Sequence, residues 1–133
     1  MVENENQLSA NVDTREVAKK LIRYCRDQKH RKAVAELYAD HCTSREMPGS
    51  ENEFVEGKAA IIEKNDKWFE MVKEFHECEV TDPLIAGAFF TCQMTVDVSF
   101  YGHKRMQLNE VCVYQVEDGK IVSEQFFYSP IDQ

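Results

Sequence analysis

The feature that most constrains the fold is a change of hydrophobic period near Lys73. Before it, apolar residues recur at helical spacing. After it, they alternate. The longest alternating run extends from Ala88 to Tyr101, with Phe90, Cys92, Met94, Val96, Val98 and Phe100 on one face and Thr91, Gln93, Thr95, Asp97 and Ser99 on the other. A long strand with one apolar face must be covered on that face, and the only cover available is the helical N-terminal half. The spacing therefore predicts an α+β domain: a cone-shaped, curved antiparallel sheet wrapped around three N-terminal helices, with one open end that suits a ligand.

The helices are placed by apolar stripes and local stop signals. Asp13-Thr14-Arg15-Glu16 reads as a capping box, followed by Val17, Leu21, Ile22 and Cys25 on one face. That helix is predicted to end near Gln28, and a second to run from His30 to Tyr38. A third starts after Gly57, with Ile61, Ile62, Trp68, Phe69 and Val72 as its stripe and Asn65 interrupting it. The strands are expected at Phe75–Thr81, Ala88–Tyr101, Arg105–Val116 and Ile121–Ser129. Asp82-Pro83, Gly102-His103 and Asp118-Gly119 separate them. Between the second and third helices, a short extended run carries Glu46 and then the turn-forming Pro48-Gly49.

Length fits one domain over residues 13–133, with residues 1–12 as a polar, acidic tail. The net charge of −8 argues against a nucleic-acid partner, since phosphate binding needs clustered cations. The densest basic run, Lys29-His30-Arg31-Lys32, falls in a helix-helix turn. No apolar run is long enough to span a bilayer. Five cysteines, at 25, 42, 78, 92 and 112, form no CxxC pair, which fits buried free thiols in a reducing cytoplasm. His41, Cys42, His76 and Cys78 make no compact four-ligand set, so no metal is expected. No organic cofactor motif appears either.

Three segments, LYAD (37–40), EGKAAI (56–61) and VEDGKIVSEQFFY (116–128), occur in the order seen in the nuclear transport factor 2-like superfamily, and the chain resembles its SnoaL-like and ketosteroid-isomerase-like branches. The resemblance covers about Asp13 to Ser129 and implies a cystatin-like α+β barrel. It places the family's catalytic base, six residues after Asp40, on Glu46. The family's oxyanion tyrosine falls on Ile22 and its oxyanion acid near Cys112, so that pair is not kept. The resemblance also implies that Glu124, Phe126 and Tyr128 face the pocket. Its functions range over isomerases, cyclases, hydratases, epoxide hydrolases and non-enzymatic modules.

Strand parity gives a second reading. Met106, Leu108, Glu110, Cys112, Tyr114 and Val116 share one face, and Glu124 lies between Val122 and Phe126. Glu46, Glu110 and Glu124 are thus the candidate catalytic acids converging on one cavity. Each has a plainer reading. Glu46 can be a solvated loop residue, Glu110 can pair with Arg105 or a helix lysine, and a slip of one residue would turn Glu124 outward. Tyr38, Trp68, Met94, Phe126 and Tyr128 are the candidate ligand contacts. Two functions stay open: a cofactor-free isomerase, cyclase or hydratase moving protons on a small apolar substrate, and a non-catalytic ligand-binding or dimeric assembly module. The outer sheet face carries Thr91, Gln93, Thr95, Asp97, Tyr101, Val111, Val113 and Phe127, a mixture that suits a homodimer interface.

Overall fold

Helical and alternating halves are both present, and the boundary lies where the period changes. The computed structural model describes residues 5–129, with side chains from Val12 onward. The elements are α1 (Glu5–Arg26), α2 (His30–Leu37), β1 (Tyr38–Arg45), β2 (Phe54–Glu56), α3 (Lys58–Met71), β3 (Val72–Val80), β4 (Leu84–Ala86), β5 (Phe89–Phe100), β6 (Met106–Glu117) and β7 (Lys120–Phe127). The sheet runs β2-β1-β7-β6-β5-β3, with β4 paired to β5. The architecture is α+β, with three helices against a curved sheet that does not close.

The sheet is mixed rather than wholly antiparallel, a correction to the sequence reading. β1 pairs with β7 in parallel, with Ser44 beside Glu124, while the other pairs are antiparallel. A parallel pair needs a long crossover, and the whole chain between β1 and β7 provides it. The short strands β2 and β4 also went unread, because three residues carry no usable alternation.

The helix start is a second correction. α1 begins at Glu5, so Asp13-Thr14-Arg15-Glu16 lies within a helix and caps nothing. Thr14 is fully buried there. The expected boundary at residue 13 falls inside α1, and residues 1–4 of the expected tail lie outside the described residues. α2 ends at Leu37, and Tyr38 opens β1. Val72 belongs to β3, and Phe69 is 38% exposed, so the stripe on α3 is narrower than its apolar residues suggest.

α1 lies across β3, β4, β5 and β6, and α3 against β1, β2 and β3. Val17, Leu21, Ile22 and Cys25 meet the inner residues Phe90, Cys92, Met94, Cys112 and Tyr114, all buried. Phe90 and Tyr114 stack with centroids 4.7 Å apart. Truncating either ring would cost about 3–5 kcal/mol through lost burial and the cavity left behind. Gly57 precedes α3 with φ +100, a conformation that side chains disfavour, and its N–H bonds the carbonyl of Cys42 at 2.8 Å. This hinge aims α3 over β1. Asp118 and Gly119, at φ 51 and 73, give the left-handed pair that a tight β6–β7 hairpin needs.

Candidate functional site

The parallel pairing of β1 with β7 builds the deep end of the site. It sets Ser44 beside Glu124 on the inner face, and the Ser44 hydroxyl donates to Glu124 Oε2 at 2.6 Å. Tyr38, at the start of β1, donates its phenol to Glu124 Oε1. Glu124 is 4% exposed. Burial raises its pKa, and the bonds from Ser44 and Tyr38 oppose that rise. A register shift between Gln115 and Val116 explains how Ile121 and Glu124 are both buried three positions apart. Simple alternation would have turned one of them outward.

Lys64 links this deep acid to the surface. Its ammonium donates to Ser44 Oγ at 2.6 Å and to Glu46 Oε1 at 3.0 Å. The Lys64 and Glu46 side chains are 11% and 20% exposed. Tyr128 donates to Glu46 Oε2 at 3.1 Å and lies 3.2 Å from the Ser50 hydroxyl. A continuous chain of polar contacts thus runs from Tyr38 through Glu124, Ser44, Lys64 and Glu46 to Tyr128.

Glu110 stands apart from that chain. It lies opposite Met94 on β5, and its side-chain hydrogen bond is from the Cys112 thiol at 3.6 Å. Its pKa is pushed up to about 7, first by burial and then by the neighbouring Glu46 carboxylate. Arg105 does not pair with it, because Arg105 holds Asp97 at 2.7 and 2.9 Å.

These acids border a cavity of about 190 Å³ whose walls include Leu21, Val34, Phe75, Met94, Tyr114 and Phe126. An outer groove of about 1050 Å³ adjoins it. Glu46, Asn65, Trp68, Leu108 and Glu110 line both spaces and so form the neck between them. Glu124 and Tyr38 face the inner cavity, whereas Tyr128 faces the groove. Trp68 is fixed edge-on against Phe69 and Phe100, with centroids 5.0 and 5.5 Å away. Of the candidates from sequence, Glu46, Glu110, Glu124, Tyr38, Trp68, Met94 and Phe126 meet at the inner cavity. Tyr128 joins them through Glu46.

Sequence reasoning missed Lys64 and Ser44. Lys64 and Asn65 lie three and four residues after Ile61, on the buried side of α3, so two adjacent polar residues in an apolar stripe were the available signal. Ser44 gave none, because its role depends on parallel pairing with a distant strand. Among the described residues, no three of His, Cys, Asp or Glu gather as metal ligands. All five cysteines are free. No described helix is long and apolar enough to cross a membrane.

Helices packed inside an open curved sheet, with acids lining a neck, define a pocket protein of the cystatin-like α+β type. Residues 12–128 match the SnoaL-like domain model, so the chain belongs to that family, within the nuclear transport factor 2-like superfamily. A protein provisionally assigned as a SnoaL-like polyketide cyclase from Mesorhizobium loti is 27% identical, with a TM-score of 0.77 over 85% of this chain and 97% of that one. Another so assigned, from Jannaschia sp. CCS1, is 15% identical, with a TM-score of 0.74 over 96% of this chain and 90% of its own. A cystatin-like protein of unknown function from Xanthomonas campestris is 19% identical, with a TM-score of 0.74 over 88% and 91% of the two chains. No match was found among curated proteins.

Proposed function

We propose that this protein is a cofactor-free acid–base enzyme, an isomerase, cyclase or hydratase, with Glu110 as the group that carries the proton. The observation behind this reading is the placement of Glu110. It lines the neck of an apolar cavity, has only a thiol as hydrogen-bond partner, and has a pKa pushed up to about 7 by burial and by Glu46. A carboxyl group that ionises near working pH can accept a proton and return it. Glu46, at the position where the family resemblance places the base, has both oxygens engaged by Lys64 and Tyr128. It acts instead as the fixed charge that raises Glu110. In the reaction, a C–H bond of the ligand breaks and the proton moves to Glu110. The electron pair stays on the ligand, delocalised into an adjacent unsaturated group. Glu110 then returns the proton at a second atom. Asn65 at the neck has a side-chain amide suited to orienting the ligand.

A cavity of about 190 Å³ lies below the roughly 300–1,000 Å³ of drug-sized sites, which favours a compact substrate over a fused polycycle. The test is exchange of C–H protons in D2O, followed by proton NMR on a panel of small cyclic ketones, their unsaturated counterparts and amine-bearing analogues of both. The native protein exchanges at least one of them above background, and Glu110→Gln loses roughly 100-fold or more. Equal rates in native and variant protein, or no exchange across the panel, overturn the reading.

The protein also forms a homodimer through its outer sheet face, on this reading. Gln93, Val111 and Phe127 are cross-strand neighbours there, with Val111 46% and Phe127 43% exposed. Tyr101 does not belong to that patch, since it lies in the turn beyond β5. A reducing cytoplasm accords with five free thiols.

A further inference from the structure

We propose that the ligand of this cavity is a small organic cation, its apolar body in the inner cavity and its positively charged nitrogen at the neck beside Glu110. The inference rests on the site described above and names the class of molecule it takes. Three features point to it. The neck and the space behind it hold three carboxyl groups, Glu46, Glu110 and Glu124, against one ammonium, Lys64. That ammonium is already committed to Glu46 and Ser44. The carboxyl of Glu110 therefore faces the neck without a cationic partner from the protein. Second, the surrounding walls are aromatic: Trp68, Phe75, Tyr114 and Phe126. Aromatic faces attract a desolvated cation within about 6 Å, as Phe126 already does with Lys64 at 5.4 Å. Third, the chain carries −8 overall, so long-range attraction favours a positively charged ligand and disfavours an anion.

The charges around Glu110 set the pH dependence. Glu46 and Glu124 raise its proton affinity, while Lys64 lowers it. The thiols of Cys25, which lines the cavity, of Cys112, which bonds Glu110, and of Cys78 are driven up by burial or by neighbouring thiols and carboxyls, so they stay neutral. Burial drives His30 below the ordinary imidazole value. Glu110, pushed up to about 7, changes the charge of the neck as it ionises. A bound cation favours its ionised form, so cation binding strengthens as pH rises from 6 to 8. A neutral ligand that accepts a hydrogen bond from protonated Glu110 shows the opposite trend.

The test uses the whole protein and its single tryptophan, Trp68, as a fluorescent reporter at the neck. The probes are tetramethylammonium and tert-butanol, similar in size and different in charge. At pH 8 the cation binds at least tenfold more tightly than the alcohol. Its affinity falls severalfold by pH 6, and Glu110→Gln reduces the preference to under threefold. If that variant fails to fold, the pH trend in native protein decides alone. Equal binding of the two probes overturns the inference, as does a cation preference independent of both pH and Glu110. Carbon-13 titration separates this from the acid–base reading. Glu110 ionising near 7 with no cation preference removes only the cation. A cation preference with Glu110 ionising near 4.5 removes only the proton carrier.

Discussion

Lys64 and Glu46 form a 3.0 Å ion pair that is largely shielded from water, and the same ammonium donates to Ser44 at 2.6 Å. One lysine on α3 thereby ties the acid at the neck to the acid at the deep end. Losing it should disturb both.

Lys64→Met leaves Glu46 as an uncompensated, poorly solvated charge. The expected loss is about 2 kcal/mol of stability, below the ~3–5 kcal/mol of a fully buried pair because the side chains retain some exposure. Urea denaturation measures it. Adding Glu46→Gln to that variant should recover most of the loss, since the orphaned charge is then gone. A double variant no more stable than Lys64→Met alone would mean that the pair does not set the cost.

Tyr38→Phe removes one of the two donors to Glu124 and leaves a buried carboxyl group with Ser44 alone. A hydrogen bond to a charged group contributes about 1.5–3 kcal/mol, so destabilisation near 2 kcal/mol is expected. The pKa of Glu124 should rise further, because a bond that opposed the rise is lost. Carbon-13 NMR of the glutamate side chains reads the shift directly.

Stability should fall as pH rises from about 4.5 to about 7. Glu110 ionises near 4.5 in the unfolded chain and near 7 in the fold, so between those values the folded state holds the extra proton and stability declines. The full difference is roughly 3 kcal/mol, and it is reached above pH 7. Glu124 adds a loss of the same sign. Chemical denaturation at pH 5 and pH 8 should show a smaller drop for Glu110→Gln than for native protein. Equal drops in the two would contradict the assignment of Glu110.

The outer face offers an independent test. Native protein is expected to sediment as a dimer at micromolar concentration, and Val111→Lys, placed between Gln93 and Phe127, as a monomer with the fold intact. A native protein that already sediments as a monomer would exclude this interface.

Much of this architecture was legible in the sequence, for a physical reason. Inner faces such as Phe90, Cys92 and Met94 repeat every second residue, and that pattern survives into the fold because one side must be covered. The same parity puts Glu110 on the face that borders the cavity, whereas the burial of Glu124 alongside Ile121 needs the register shift beside β7. What failed were features fixed by distant partners. Ser44 gained its role from a parallel neighbour about eighty residues away in sequence. Asp13-Thr14-Arg15-Glu16 carries the local pattern of a helix start, yet α1 runs through it from Glu5, so the motif did not mark the helix end. Lys64 was overlooked because a lysine is ordinarily solvated. Its burial follows from the packing of α3 over β1, which brings the ammonium to Ser44 and Glu46.

The measurement that bears most directly on the account is a carbon-13 NMR titration of Glu110 in the ligand-free protein, assigned by comparison with Glu110→Gln. The account predicts a midpoint near 7, well above the ordinary carboxylate range, and a lower midpoint when Glu46 is replaced by Gln. A midpoint near 4.5, unchanged by Glu46→Gln, would mean that Glu110 is solvated and cannot carry a proton at neutral pH.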